Sequence, residues 1–187
     1  MGKTAIIVVD MLRDTLDVGS RFSIGEEGRK IISGIQRLLK ASREKGLPVI
    51  FANDSFHPDD FMFREMKRAP HCVAGTDGAK VIAEFGPEET DIILPKRRMS
   101  AFMGTNLDET LRKLGADTIA VAGISTPVCV LSTLLDGLAH DFRVIMIDDC
   151  CAAYRRPDHE AIVKLYGKGS MYPLLQAMSL EKFLSIS

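Results

Sequence analysis

Short runs of apolar, β-branched residues alternate along this chain with longer stretches whose apolar positions recur every three or four residues. Residues 4–10, TAIIVVD, are apolar to their last position and read as a strand buried on both faces. Between 29 and 45, Ile31, Ile32, Ile35, Leu38 and Leu39 fall at helical spacing, and Gly46 followed by Pro48 ends that helix. Further strands are expected at 48–54 (PVIFAND), 91–96 (DIILPK), 117–123 (DTIAVAG), 142–149 (FRVIMIDD) and 173–176. Helices are expected at 105–115, 127–140, 158–167 and 179–185. Pro95 lacks an amide hydrogen and suits the end of its strand.

Strands apolar throughout, separated by amphipathic helices, imply an α/β fold with a parallel sheet covered on both faces. No repeat or linker interrupts the pattern, so residues 1–187 read as one domain. The segment 54–90 breaks the rhythm, being rich in Pro, Asp, Phe and His. A loop of that length on a compact domain reads as a lid or a wall of a site.

Composition narrows the function classes. The 187 residues are 46% hydrophobic and 26% charged with a net charge of -1. No excess of charge steers the chain to nucleic acid or anionic lipid. Lys96-Arg97-Arg98 reads as a solvated basic loop. The most apolar region, 118–135, is interrupted by Gly123 and Pro127, so it is not a membrane span. Four cysteines, Cys72, Cys129, Cys150 and Cys151, form no C-x-x-C motif. With no secretory leader ahead of TAIIVVD, they read as free thiols in a cytoplasmic protein. Cys150 and Cys151 read as buried, and Cys72 as exposed on its loop.

In an open parallel sheet, ligands bind beyond the carboxyl ends of the strands. Asp10, Asp54, Lys96, Asp148 and Asp149 stand at such ends, and Cys129 follows the fourth strand across a turn. Singly, each is an ordinary turn or cap residue. Together, an acid, an ammonium and a thiol make a candidate site. In GISTPVCVLSTLLDGL, Ser125 or Thr126 suits an N-cap and Pro127 the first helical position, which places Cys129 in the first helical turn. Free N–H groups there would favour a thiolate, and Lys96 would add to the effect. The same N–H groups could hold an oxyanion. Pro127 has none, so the donors come from Cys129 and the turn before it.

Asp10 in IIVVDML, Lys96 in LPKRRMSAF and Cys129 in GISTPVCV resemble the Asp–Lys–Cys triad of the isochorismatase-like cysteine hydrolases. That superfamily includes nicotinamidases, N-carbamoylsarcosine amidases and ureidoacrylate hydrolases, and the likeness spans nearly the whole chain. The resemblance implies a three-layer α/β/α fold with a six-stranded parallel sheet ordered 3-2-1-4-5-6. It implies a cis peptide at Ile124–Ser125, with Ser125 and Cys129 as backbone oxyanion donors. Phe102, in MSAF, matches the family's pocket aromatic, and Phe56 is a second wall candidate. The metal site of the family's nicotinamidases, carried over by position, gives Asp54, His57 and His71 as ligands for zinc or another divalent ion, with Phe56 at the expected His position and His57 one residue late.

The activity implied is that of a cysteine amidohydrolase cleaving an amide or ureido C–N bond of a small molecule through a thioester. No organic cofactor is implied, and a homo-oligomer is expected. Vinyl-ether hydrolysis, which does not need the thiol, is one rival reading. A catalytically silent binding or assembly module on the same fold is another.

Overall fold

In the computed structural model, which describes residues 3–186, six strands form one parallel sheet ordered β3-β2-β1-β4-β5-β6. They are β1 (Lys3–Val9), β2 (Val49–Asp54), β3 (Ile92–Lys96), β4 (Ala116–Ile124), β5 (Arg143–Ala152) and β6 (Leu175–Met178). The helices are α1 (Arg13–Leu16), α2 (Glu26–Lys30), α3 (Ile32–Glu44), α4 (Phe61–Glu65), α5 (Leu107–Lys113), α6 (Leu131–Ala139), α7 (Arg156–Tyr166) and α8 (Leu180–Ile186). Strand order and the covering of both faces match the expected architecture.

Period-two alternation explains the layers. Ile6 and Val8 of β1 face one side, where Ile35, Leu38 and Leu39 of α3 and Phe183 of α8 pack on them. Ala5, Ile7 and Val9 face the other, against Leu107 and Leu111 of α5 and Leu134 of α6. The stripe 29–45 is divided at Ile31 into α2 and α3. The expected helix 127–140 opens instead as a wide turn, Thr126–Val130, in which the Leu131 N–H reaches the Thr126 carbonyl, before α6 begins.

The order reverses at β1, which pairs with β2 on one side and β4 on the other. Val9 lies in register with both Ala52 and Gly123. Gly123 has φ +119, and a Cβ there would sit 2.1 Å from the Val9 carbonyl oxygen. Only glycine lets β1 and β4 run this close just before the chain turns toward Cys129.

The segment 54–90 is not a loose loop. Phe56, Phe63, Leu12 and Cys72 form a small apolar cluster of their own. The Phe56 N–H bonds the Cys72 carbonyl (3.0 Å) and the Ala74 N–H returns to Phe56 (2.9 Å). Cys72, expected to be exposed, is therefore fully buried: its own N–H is held by the Asp14 carboxylate at 2.7 Å.

Candidate active site

Asp10 follows β1 with φ +54, a left-handed conformation that aspartate tolerates better than most residues. Its N–H still bonds Ala52 of β2 (3.0 Å), so the residue remains tied to the sheet while its side chain turns across the strand ends. Oδ1 accepts the Asp54 N–H at 2.8 Å. Oδ2 lies 2.9 Å from Nζ of Lys96, an ion-pair contact, yet accepts no hydrogen bond and is fully buried.

Lys96 reaches this point from β3, two strands away. Along β3, Leu94 and Lys96 are buried while Ile93 and Pro95 are exposed, so the strand's alternation turns the lysine inward. Asp54, its register neighbour on β2, also ion-pairs with Nζ, and the Arg98 carbonyl accepts from the same nitrogen at 3.2 Å. The lysine of the basic triplet is thus 1% exposed, against the expectation of a solvated loop. Burial opposes its charge, but Asp10 and Asp54 outweigh that penalty and hold the ammonium well above its ordinary range. For Asp54 the balance runs the other way. Burial and the Asp10 charge push it up to about 7 against the pull of Lys96.

Cys129 is 9% exposed, and its carbonyl accepts the Thr133 hydroxyl at 2.8 Å. Thr133 Oγ1 in turn accepts the Ala101 N–H (3.0 Å), joining the loop after β3 to α6. Upstream, the Thr126 hydroxyl lies 2.9 Å from Nδ1 of His159 on α7. The Ile124–Ser125 peptide is cis. The Val128 and Val130 N–H groups are taken by the Ser125 carbonyl, at 3.0 and 3.3 Å. Pro127 has no N–H, so Ser125, Thr126 and Cys129 carry the remaining donors of the turn.

The thiol state corrects the sequence expectation. Burial, then the Asp10 charge, push the Cys129 thiol well above its ordinary range, and Lys96 does not offset them. The resting group is a thiol beside a carboxylate, not a thiolate.

Asp10, Asp54 and Cys129 line a cavity of about 400 Å³ walled by Phe56, Phe63 and Met66. Phe56 therefore stands where it was expected. Phe102 does not line this cavity. It packs in the core on the α6 side, stacked 5.0 Å from the His140 ring, because the strand-to-helix loop turns it inward under the sheet. Asp148 and Asp149 also stand apart, and Asp149 holds the Leu180 N–H at 2.7 Å. Tyr154, Arg68 and Ser125 complete the cavity's polar side. Tyr154 lies just past β5, where the strand-end rule applies, but Arg68 had no sequence signal beyond its place in the irregular segment.

Of the residues named for a metal, Asp54 and His71 both line the cavity, but the three do not form a close donor group. His57 is exposed and outside the cavity wall. His71 is wedged between Phe22 (4.5 Å) and Phe63 (5.1 Å) with Nδ1 3.2 Å from the Ala69 carbonyl. Asp54 is occupied by Lys96. Among the described residues, the group of candidate donors lying within 4.8 Å of one another is Asp10, Asp54 and Cys129. The Lys96 ammonium is already ion-paired with both of its carboxylates and stands where a cation would, so this donor set does not fit a metal. Among the described residues no helix is long and apolar enough to cross a membrane.

Comparison with known proteins agrees with this geometry. The isochorismatase domain family matches residues 4–170. A solved structure of N-carbamoylsarcosine amidase from Thermoplasma acidophilum is 32% identical, with a TM-score of 0.83 over 96% of this chain and 97% of that one. A protein of Arabidopsis thaliana described as a probable inactive nicotinamidase is 30% identical over 188 residues, covering 95% of each chain. A pyrazinamidase of Pyrococcus horikoshii solved in complex with zinc is 28% identical, with a TM-score of 0.82 over 95% of this chain and 99% of that one.

Proposed function

The chain belongs to the isochorismatase family, and on that premise we propose that it is a cysteine hydrolase cleaving an amide or ureido C–N bond of a small molecule. The observation that supports the proposal is that Asp10 and Cys129, from separate strand ends, line one cavity, with the buried Lys96 ion-paired to Asp10. The similarity to an N-carbamoylsarcosine amidase supports the bond type.

In this mechanism Oδ2 of Asp10, buried and without a hydrogen bond, takes the proton from Sγ of Cys129 as the sulfur attacks the carbonyl carbon. The high thiol pKa makes proton transfer part of the attack. The new S–C bond pushes the carbonyl electron pair onto oxygen, where the Ser125 and Cys129 N–H groups stabilise it. Collapse breaks the C–N bond, and Asp10 returns its proton to the departing nitrogen. Asp10 then deprotonates a water that attacks the thioester, and the released sulfur regains a proton. Lys96 remains an ammonium throughout, ion-paired with Asp10 and Asp54. No step requires a metal.

Ammonia release from a panel of nicotinamide, N-carbamoyl amino acids and ureides tests the proposal. Activity on at least one member, lost by at least about 10³-fold in Cys129→Ser, is the expected result. Activity that persists in Cys129→Ser removes the thiol from the mechanism. The relative described as inactive keeps a second reading, a silent binding module, in view. Absence of ammonia from every member, with the folded protein confirmed by circular dichroism, favours it.

A further inference from the structure

Ser125, Pro127, Val128 and Cys129 line the catalytic cavity, but Thr126 among them does not. Its side chain is fully buried behind the turn, where the hydroxyl lies 2.9 Å from Nδ1 of His159. Other bonds of the turn are local. The Ser125 carbonyl takes the Val128 and Val130 N–H groups, the Thr126 carbonyl takes the Leu131 N–H, and the Cys129 carbonyl takes the Thr133 hydroxyl. These bonds stay within the turn and α6, so they set its internal shape. The Thr126 hydroxyl reaches instead to a different helix, α7, and so bears on where the turn sits.

His159 is not on the cavity wall. Its ring lines a separate hollow of about 500 Å³, together with Asp148 of β5 and Glu27 of α2. It therefore acts on the site through Thr126 and not on a bound molecule. The charges beside it are matched among themselves. Arg156 pairs with Glu160 at 2.8 Å and Lys30 with Glu27 at 2.5 Å. Burial, then the Arg156 charge, hold the imidazole below its ordinary range against the pull of Asp148, Glu160 and Glu27, so the ring is neutral at neutral pH. A neutral imidazole offers one donor and one acceptor, and either suits a hydroxyl.

We propose that His159 is a positioning residue, which holds the Ser125 and Cys129 N–H groups in place for a developing oxyanion through its bond to Thr126. Donors of this kind act only when they are aimed beforehand, and a displacement of about 1 Å can cost about 10²-fold in rate. Without the imidazole, the buried Thr126 hydroxyl loses its partner and the turn loses its tie to α7. The sulfur stays in the cavity, but the N–H groups beside it are no longer held. This inference rests on the hydrolase reading for turnover but not for the addition of an aldehyde to Cys129.

Acetaldehyde labelled at its carbonyl carbon, added to the full-length protein and followed by NMR, tests the proposal. Sγ bonds to the carbonyl carbon, the C=O electron pair moves onto oxygen, and the thiol proton ends on that oxygen as a thiohemiacetal; Cys129→Ala gives the blank. Iodoacetamide alkylates the same sulfur by displacing iodide and forms no oxyanion. His159→Ala and the near-isosteric Thr126→Val are each expected to lower the thiohemiacetal formation constant about tenfold, with alkylation rates within about twofold of wild type. His159→Asn, whose amide falls near Nδ1, is expected to restore most of the loss, and the double variant to lose no more than either single one. On a panel substrate, kcat is expected to fall about 10–10²-fold with KM within about threefold. Unchanged thiohemiacetal formation in both single variants, an equal loss in alkylation, additive losses in the double variant, or no thiohemiacetal in the wild type overturns the proposal. Ammonia release that His159→Ala leaves unchanged removes the positioning role and retains the hydrolase. The expected aldehyde response with no ammonia from any panel member does the reverse.

Discussion

Lys96, Arg97 and Arg98 are consecutive, yet they end in two unlike places. Lys96 enters a buried cluster with two carboxylates and a thiol, and one Asp10 oxygen there accepts no hydrogen bond. Arg97 and Arg98 instead converge on the single carboxylate of Asp60, at 2.6 and 3.4 Å. Asp60 is fully buried and also caps α4 through the Met62 N–H (3.1 Å). Burial works against the Asp60 charge, but Arg97, the Met62 N–H and Arg98 hold its carboxyl below the usual range. One centre has more anions than cations and keeps an oxygen able to take a proton. The other has more cations than anions and keeps none. The difference separates a carboxylate that can act as a base from one that fastens a loop.

The comparison breaks most sharply at Asp10. Asp10→Asn preserves shape and tolerates the left-handed backbone, but removes the base. Turnover is expected to fall by about 10²–10⁴-fold with the fold intact, as measured by kcat on whichever panel substrate is hydrolysed. A folded variant with near wild-type kcat would remove Asp10 from the mechanism.

At the other centre, Asp60→Asn should lower stability by about 2 kcal/mol in urea unfolding. The loss stays below that of a sealed ion pair because Arg97 and Arg98 are half-exposed and can be hydrated. No atom of Asp60 lines the cavity, so kcat should hold to within a few-fold.

A third measurement sharpens the electrostatics. Burial and the Asp10 charge both disfavour the Cys129 thiolate, so removing that charge should lower the thiol pKa and leave burial as the main influence opposing Lys96. Asp10→Asn should therefore alkylate with iodoacetamide about tenfold faster at pH 8 than the wild type, even as turnover collapses. Slower alkylation would contradict the electrostatic account.

A pH-dependent effect on stability is expected from Asp54. Its carboxyl rises from 3.8 to about 7 on folding, so between those values the folded state holds a proton that the unfolded chain has lost. Stability contributed by this group is complete below pH 4 and declines as pH rises toward 7. Melting temperature followed across that range should fall less steeply in Asp54→Asn than in the wild type.

Much of this arrangement could be read before any coordinates. The strand ends at Asp10, Asp54 and Lys96 follow from apolar runs that stop at a charge, and the turn before Cys129 is marked by Pro127. What the runs do not encode is direction. Whether Lys96 points inward depends on which face of β3 is covered, and that follows from the alternation of Leu94 and Lys96 only once β2 lies alongside. The thiol state departs from the sequence expectation for a related reason. Helix position and a nearby lysine can be inferred from sequence, but burial and the proximity of Asp10 cannot, and these dominate. Phe102 and His57 show the limit of transfer by position, since a residue one place along a loop can face the core or the solvent instead of the cavity.

Drawing one site from the ends of β1, β2, β3 and β4 has a consequence in time. As the chain is synthesised, Asp10, Asp54 and Lys96 emerge first and are hydrated, ordinary surface charges. They become one buried cluster only when β4 is laid beside β1 and the Cys129 turn closes over them. Parallel pairing between strands so distant in sequence forms slowly compared with local helices. The Cys129 thiol is therefore the last member of the group to be made, and the cluster stays incomplete until that late pairing is made.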